Sequence, residues 1–388
     1  MLARVVSAAK IAKTAKAAKT APHVASLTPA EVARARRVGH RLVGARPRDP
    51  AQAVAALVAM QAQDHAGALW SIGARTEGAT EASIEDALAR GAIVRAWPLR
   101  RTLHVVAADD VHWLHDLLAP RSIAATLPRA RALGIEPAHL ATATKALTAA
   151  LTGGRRLERD DALTCLDRAG VATAGQRGYH ILVRLALEGV LCLGPRAGKQ
   201  QSFVLVDEWV PKRGPARPRD QALTELATRF FTGHGPATQA DLIGWAALTA
   251  GDAKAGIAGA GRALTRVDVG GVPHWMAADL DIPPPRPTDV DLLAGFDELV
   301  LGYKQRAAFL DPAHADKLVP GGNGVFRPTV VVDGRVVGTW ARTSRARADT
   351  VTVTPFAPLP AAIRPGLAAA AARLAAFLAR PVDLVIAP

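Results

Sequence analysis

The chain has 388 residues, 49% hydrophobic and 21% charged, with 48 Lys and Arg against 34 Asp and Glu for a formal net charge of +14. That composition excludes a disordered chain, and the length suggests two to four modules. The charge makes nucleic acid the leading class of partner, the alternative being a basic surface with no polymer bound.

Two cysteines, Cys165 and Cys192, match no metal-ligand spacing and read as reduced, partly buried thiols of a cytosolic protein. No run approaches about 18 consecutive apolar residues, so no membrane span is expected and the expected location is cytoplasmic. The start, MLARVVSAAKIAKTAKAAKTAP, lacks a continuous apolar signal core and reads as a flexible basic arm over 1–27.

From there the elements follow in order. Thr28 with Glu31 three residues on forms a capping box, so a helix is expected over 28–44. A second is expected over 50–61, entered at Pro50, and a third over 81–90, stopped by Gly91. Residues 93–106 mix β-formers with arginines and predict strands, and 108–118 predicts a helix. Helices over 138–151, 160–168 and 175–188 then precede a two-stranded wing at 190–195 and 201–209. This is the winged-helix plan, a variant of helix-turn-helix.

After the basic linker PKRGPARPRD the plan returns, with helices near 220–230, from Thr238, and over 250–264, then a Gly-Gly hairpin at 267–277. The first 130 residues are expected to hold a more divergent copy. Beyond the proline-rich linker at 281–291, Asp333-Gly334 between two strand-like runs is the strongest hairpin signal in the chain. A strand at 349–360, an Ala-rich helix at 361–379 and the tail PVDLVIAP complete an expected C-terminal β-domain.

The first stretch with chemical interest is Gln61-Ala62-Gln63. On a helix, residues two apart face different directions; on extended backbone they share a face. Joint action of the two glutamines therefore requires the chain to leave helical geometry. Neither amide ionises, but each offers a donor and an acceptor. The pair can orient a water or a base edge, or simply satisfy backbone groups at a helix end. Asp64 can hold a water, stabilise positive charge or cap a helix; His65 adjoins it. Trp70 reads as core.

Arg95, Arg100 and Arg101 can bridge phosphates or hold the first module together, and His104 is either a buried hydrogen-bonding residue or a site residue. Gln176, Arg177, Tyr179 and His180 open the expected recognition helix of the second wing unit, where a helix N-terminus can meet phosphate or remain solvated. Lys199 lies in its wing loop. Lys304, Arg306 and Arg327 are further candidates for DNA contact. The glycine-rich loop before Arg327 lacks the Lys-Ser or Lys-Thr of a Walker motif. His112 and His115 with Asp116 have a metal-compatible spacing but read as a solvated helical face, so no metal and no cofactor is expected.

Gln61-Ala62-Gln63, GALWSIGAR (67–75), VRAWPLRRTLHVV (94–106), FDELVLGYKQR (296–306) and VPGGNGVFRPTVVVDGRVVGTW (319–340) form an ordered set. That set resembles the AlkZ-like family of winged-helix DNA crosslink glycosylases, over about residues 28 to 360. The family signature is glutamine, an aliphatic residue, then glutamine or aspartate. Glutamine at the third position aligns this chain with the crosslink-resistance branch.

The resemblance implies an α+β fold of three tandem winged-helix units and a β-barrel, in a concave shape that cradles duplex DNA. The implied boundaries are 28–135, 136–213 and 214–282 for the units and 283–388 for the barrel-like domain. It also implies a monofunctional glycosylase for bulky or crosslinked N7-alkylated purines, with Gln61 and Gln63 positioning the attacking water. Self-resistance against a DNA-alkylating natural product is a further implication. The expected partner is duplex DNA carrying alkylated purines, with no obligatory protein partner. The rival reading is a winged-helix transcription regulator, which has no need of a water-positioning glutamine pair. A third is a housekeeping enzyme acting on simpler N7 adducts.

Overall fold

The computed structural model describes residues 24–388 apart from 197, 199 and 213, so most of the basic arm, and Lys199, lie outside the described residues. Of the arm's described end, Leu27 donates its N–H to the Asp268 carbonyl at 2.8 Å, and Asp268 donates back to Ala25 at 2.9 Å.

Helix α1 (Pro29–Gly39) opens with the capping box of Thr28 and Glu31 in place. After it, one sequence of elements recurs. Unit one has α2 (Pro50–Ala56), β1 (Ala59–Gln61), α3 (His65–Gly73), α4 (Glu81–Ala89), β2 (Ile93–Leu99) and β3 (Thr102–Ala107). Helices α5 (Val111–Ala124) and α6 (Leu127–Ala132) lead out of it. Unit two has α7 (Pro137–Leu151), β4 (Leu157–Glu158), α8 (Arg159–Arg168), α9 (Arg177–Leu187), β5 (Leu191–Leu193) and β6 (Ser202–Leu205), then the turn α10 (Val206–Trp209). Unit three has α11 (Arg219–His234), α12 (Gln239–Ala246), α13 (Ala250–Ala260), β7 (Leu264–Val269) and β8 (Val272–Ala277). There a single bridge from Ala237 to Trp275 stands in for the first strand.

The C-terminal region contains β9 (Val290–Leu293), α14 (Glu298–Leu301), α15 (Ala315–Leu318), β10 (Thr329–Val332), β11 (Arg335–Ser344), β12 (Asp349–Pro355), α16 (Arg364–Leu378) and β13 (Val382–Ile386).

Three sheets organise these strands. One has six strands in the order β1-β3-β2-β5-β6-β4, so the hairpins of units one and two fuse, at Arg95 opposite Leu193. The hairpin of unit three stands alone, and the C-terminal sheet runs β13-β12-β11-β10-β9. That last sheet is open among the described residues, with β9 and β13 as its edges, so the barrel-like domain expected is a curled, mixed half-barrel. Its β12–β13 pair is parallel, reached by the α16 crossover.

α16 and the turn before it (Ala361–Leu378, mean hydropathy 1.3) are long and apolar enough to cross a membrane. Here Leu367, Ala370, Ala371, Leu374 and Phe377 are buried, with α16 against β9, β13 and α3. Gly73 permits this approach, since a Cβ there would lie 2.3 Å from the Phe377 ring.

The hydrophobic cores ignore module boundaries. One joins units one and two to the C-terminal sheet and α16; the other joins unit one to unit three and the α14 region.

One expectation fails beside the glutamines. The helix expected over 50–61 ends at Ala56. Leu57 caps it, Val58 turns to φ +67°, and Ala59–Gln61 pair antiparallel with Val106–His104. Strand pairing has overridden a local run that reads as helix. Left-handed backbone costs an L residue about 1–2 kcal/mol, and Val58 is β-branched, so this turn is held by its surroundings. Val58 is fully buried.

Candidate active site

β1 is an edge strand, and its extended backbone runs on through Ala62, whose N–H donates to the Leu103 carbonyl at 2.9 Å. The side chains of Gln61 and Gln63 therefore fall on one side. They lock together. Gln61 Oε1 accepts the Gln63 backbone N–H at 3.2 Å, and Gln61 Nε2 donates to Gln63 Oε1 at 2.6 Å. The backbone donor fixes the orientation of the first amide, and the first fixes the second. Each carbonyl oxygen keeps a free lone pair. Gln61 is 6% exposed, while Gln63 is the member that faces solvent.

The other edge of β1 is covered by a carboxylate. Gln61 N–H donates to Glu298 Oε1 at 2.9 Å, and Trp245 Nε1 donates to Glu298 Oε2 at 2.9 Å. Burial raises the Glu298 pKa, but His234, Arg100 and His104 outweigh it and hold the value at about 2. Glu298 is thus an anion at any neutral pH. His234 Nε2 stands 3.7 Å from it.

The preceding residue anchors α3. Asp297 takes both Arg75 terminal nitrogens, at 2.7 and 2.8 Å, and the Ser71 hydroxyl at 2.9 Å. Arg75 also reaches His40 Nδ1 at 3.4 Å, His40 Nε2 lies 3.0 Å from the Tyr303 hydroxyl, and that hydroxyl donates to the His234 carbonyl at 2.7 Å. Burial, then His234, Arg75 and Arg36, hold His40 well below its ordinary pKa, so it is neutral. Its Nδ1 accepts from Arg75, which leaves Nε2–H to donate to the tyrosine.

On the sheet side, Arg95 donates to the Ala62 carbonyl at 3.1 Å, between the two glutamines. Burial, then Arg196, lower the Arg95 pKa to about 10. His104 directs Nδ1–H at the Thr102 carbonyl (2.9 Å) and receives Arg100 on Nε2 (3.3 Å). Burial, then Arg100, push it down to about 4, so it is neutral.

Arg100 and Arg101 form the turn between β2 and β3, at φ +50° and +62°. Two positive φ angles make this the I′ pattern, which ordinarily takes Asn and Gly. Arg100 folds inward and donates to the Trp245 carbonyl at 2.8 Å, tying unit one to unit three; Arg101 is exposed.

Asp64 is the N-cap residue of α3 but makes no side-chain capping bond. Its carboxylate lies beside Gly67 and lines a 150 Å³ cavity with Trp70, Trp340 and Arg342. Trp70 itself is core, its indole N–H on the Leu292 carbonyl at 2.7 Å. His65 is bound to Glu85 at 2.7 Å; burial lowers its pKa, partly offset by that carboxylate.

The remaining candidates lie on other elements. At the start of α9, Arg177 donates to the carbonyls of Leu133, Gly134 and Ala172, and Gln176 accepts from Arg129 at 2.5 Å. Tyr179 is exposed beside His180, whose pKa is lowered by burial and then Arg129. Lys304 is exposed and adjoins unit three, its backbone N–H on Asp241 at 2.8 Å. Arg306 donates to the Val300 carbonyl at 2.9 Å and lies over the Phe326 ring. Arg327 is exposed.

His112 bonds the Val210 carbonyl at 2.5 Å, and His115 is buried in α5 rather than solvated, its pKa pushed down to about 4 by burial. Among the described residues no three His, Cys, Asp or Glu side chains group as a metal site. Both cysteines are free, and burial raises Cys192 to about 12.

Sequence reasoning missed Arg75, Trp245, Asp297 and Glu298. The signal was present: two adjacent acids opening the apolar run FDELVLGY must be paired if that run is buried.

A family model described as DNA glycosylase AlkZ-like matches residues 54–377. An interstrand DNA cross-link repair glycosylase of Streptomyces sahachiroi is 28% identical over 317 residues, covering 78% of this chain and 84% of that relative. The solved structure of the Streptomyces sahachiroi DNA glycosylase AlkZ has the same fold, at TM-score 0.79 and 24% identity over 93% of this chain and 100% of that one. Matched from the helix before the glutamine pair to the last helix of the C-terminal region, the chain belongs to the DNA glycosylase AlkZ-like family and is an enzyme of that class.

Proposed function

We propose that this enzyme hydrolyses the N-glycosidic bond of bulky or crosslinked N7-alkylated purines in duplex DNA and leaves an abasic site. Gln61 and Gln63 hold the attacking water in this reading. The observation that carries it is the locked pair: two neutral amides on extended backbone, each with one carbonyl lone pair left.

Alkylation at N7 makes the purine a cation. The C1′–N9 bond breaks with its electron pair passing to the base, which departs neutral. The positive charge moves to the sugar, water oxygen bonds to C1′, and its proton passes to solvent. Such a leaving group needs no strong base, so orientation of the water supplies what catalysis requires. A base tethered across both strands cannot swing fully into a closed pocket, which favours an exposed residue such as Gln63 at the point of attack. The cross-link repair named for the Streptomyces sahachiroi relative supports the crosslinked class of substrate.

The recurring helix–strand–helix–helix–hairpin order is read as three tandem winged-helix units facing one duplex. Arg101, Tyr179, Lys304 and Arg327 are exposed and are assigned to DNA contact, as are Gln176, His180 and Lys199. Arg95, Arg100, Arg177 and Arg306 are more buried and donate to main-chain carbonyls, so they are assigned first to holding the surface in shape, while Arg101 reaches the Ala125 carbonyl at 3.4 Å from an exposed position. Asp64 is assigned a supporting role toward positive charge at the sugar, and His65 one through Glu85.

The test uses duplexes carrying N7-methylguanine, a bulkier N7 adduct and an N7-linked interstrand crosslink, scored for alkali-labile abasic sites. Release from the bulky and crosslinked duplexes is expected, with Gln61→Ala and Gln63→Ala each at least about 100-fold slower. No release from any duplex overturns the proposal; release of methylguanine alone overturns the substrate class.

A further inference from the structure

We propose that Glu298 is a positioning residue for the glutamine pair and supplies the fixed negative charge of the site. This rests on the reading that the pair presents water to a cationic sugar.

The first ground is strand geometry. Ala62 N–H points to β3, so Gln61 N–H, one residue earlier, points off the sheet edge. An edge strand has no neighbour to take that donor. Glu298 takes it from 237 residues away and pins the segment at the residue where it must stay extended.

The second ground is the contrast between two adjacent acids. Asp297 is neutralised at contact by the Arg75 guanidinium, with both side chains fully buried. Glu298 is 1% exposed, and its hydrogen bonds come from neutral groups, the Gln61 amide and the Trp245 indole. His234 lies at 3.7 Å and Arg100 acts at longer range. Unlike Asp297, this buried carboxylate has no guanidinium in contact with it among the described residues, so its charge is left facing its surroundings. Here it lies directly against the backbone of the water-holding residue. As the positive charge moves from the purine onto C1′, it is attracted to this anion through a low-dielectric interior.

The experiment uses the full chain and three duplexes: one with a bulky N7-alkylguanine adduct, one with a cationic pyrrolidine abasic analogue, one with the neutral tetrahydrofuran analogue. Glu298→Gln removes the charge and keeps the size. It is expected to slow single-turnover excision roughly 10-fold or more and to cut the preference for pyrrolidine over tetrahydrofuran by a similar factor, with tetrahydrofuran affinity within about threefold of the parent. Glu298→Asp keeps the charge but withdraws it from Gln61 N–H; it is expected to slow excision and retain the preference. A merely structural residue would shift both analogues alike. Should Glu298→Gln fail to fold, Glu298→Asp decides alone: an undiminished rate overturns the positioning role, and a lost preference overturns the charge role. An unsubstituted protein that releases no base from any duplex overturns the glycosylase reading instead, and does so without either variant.

Discussion

The six-stranded sheet has two edges, and they hold equivalent strands of units one and two. β1 lies between the first and second helices of its unit, and so does β4. Their sequences end in Gln61 and Glu158, both polar. Yet β1 is buried along its length, while both residues of β4 are half-exposed. The difference lies outside either unit. The segment around Asp297 and Glu298 crosses from the C-terminal region and caps β1, and the β4 edge has no comparable cover among the described residues. A short edge strand is sealed when another part of the chain lays a carboxylate across it.

Removing the anchor of that lid should have the largest effect. Asp297→Asn leaves the Arg75 guanidinium buried and without its counter-charge, so a loss of about 3–5 kcal/mol in unfolding free energy is expected from urea titration. An unchanged midpoint would mean the lid is not held there. The next comparison sets the two edges side by side. Gln61→Ala should reduce excision at least about 100-fold with a small change in melting temperature, and Glu158→Ala should leave excision within about twofold. Equal losses at both edges would remove the distinction between them.

Acid should act on the covered edge through His104. Its folded pKa of about 4 lies below the ordinary histidine value of 6.5, so the unfolded chain binds the proton first. The stabilisation is present above pH 6.5 and is lost as pH falls through about 4, amounting to roughly 1–3 kcal/mol. Urea midpoints measured from pH 7 to pH 4 should decline less in His104→Gln than in the parent. The smallest effect concerns the turn joining β2 to β3. Arg101→Gly should relieve its left-handed backbone and raise stability by about 0.5–1 kcal/mol while weakening duplex binding at low salt. A drop in stability would show that the arginine pays for its own strain.

Much of this architecture was legible because its signals are local. Thr28 with Glu31, Thr238, Gly91 and Asp333-Gly334 each act within a few residues, and each marks the boundary expected of it. The condition on the glutamine pair was also legible: joint action required extended backbone, and β1 provides it. What could not be read depends on partners far away. AVAALVAM looks helical to its end, and only pairing with β3 turns its last residues into strand. The Arg100-Arg101 turn carries none of the residues that announce an I′ turn. Glu298 meets Gln61 across most of the chain, and no spacing rule reaches that far. That the barrel-like region stops at half a barrel was hidden for a related reason: strand number and closure depend on which edges meet.

The seam where Arg95 faces Leu193 sets a limit on how this protein can be taken apart. A chain cut between units one and two would leave β2 as a bare edge, and the same Arg95 that holds the Ala62 carbonyl would lose its neighbour strand. Transplanting the glutamine triplet onto another winged-helix scaffold would carry over the two amides and neither of their supports. The smallest portable piece is therefore no single unit, but the fused sheet together with the stretch of chain that lies across its edge.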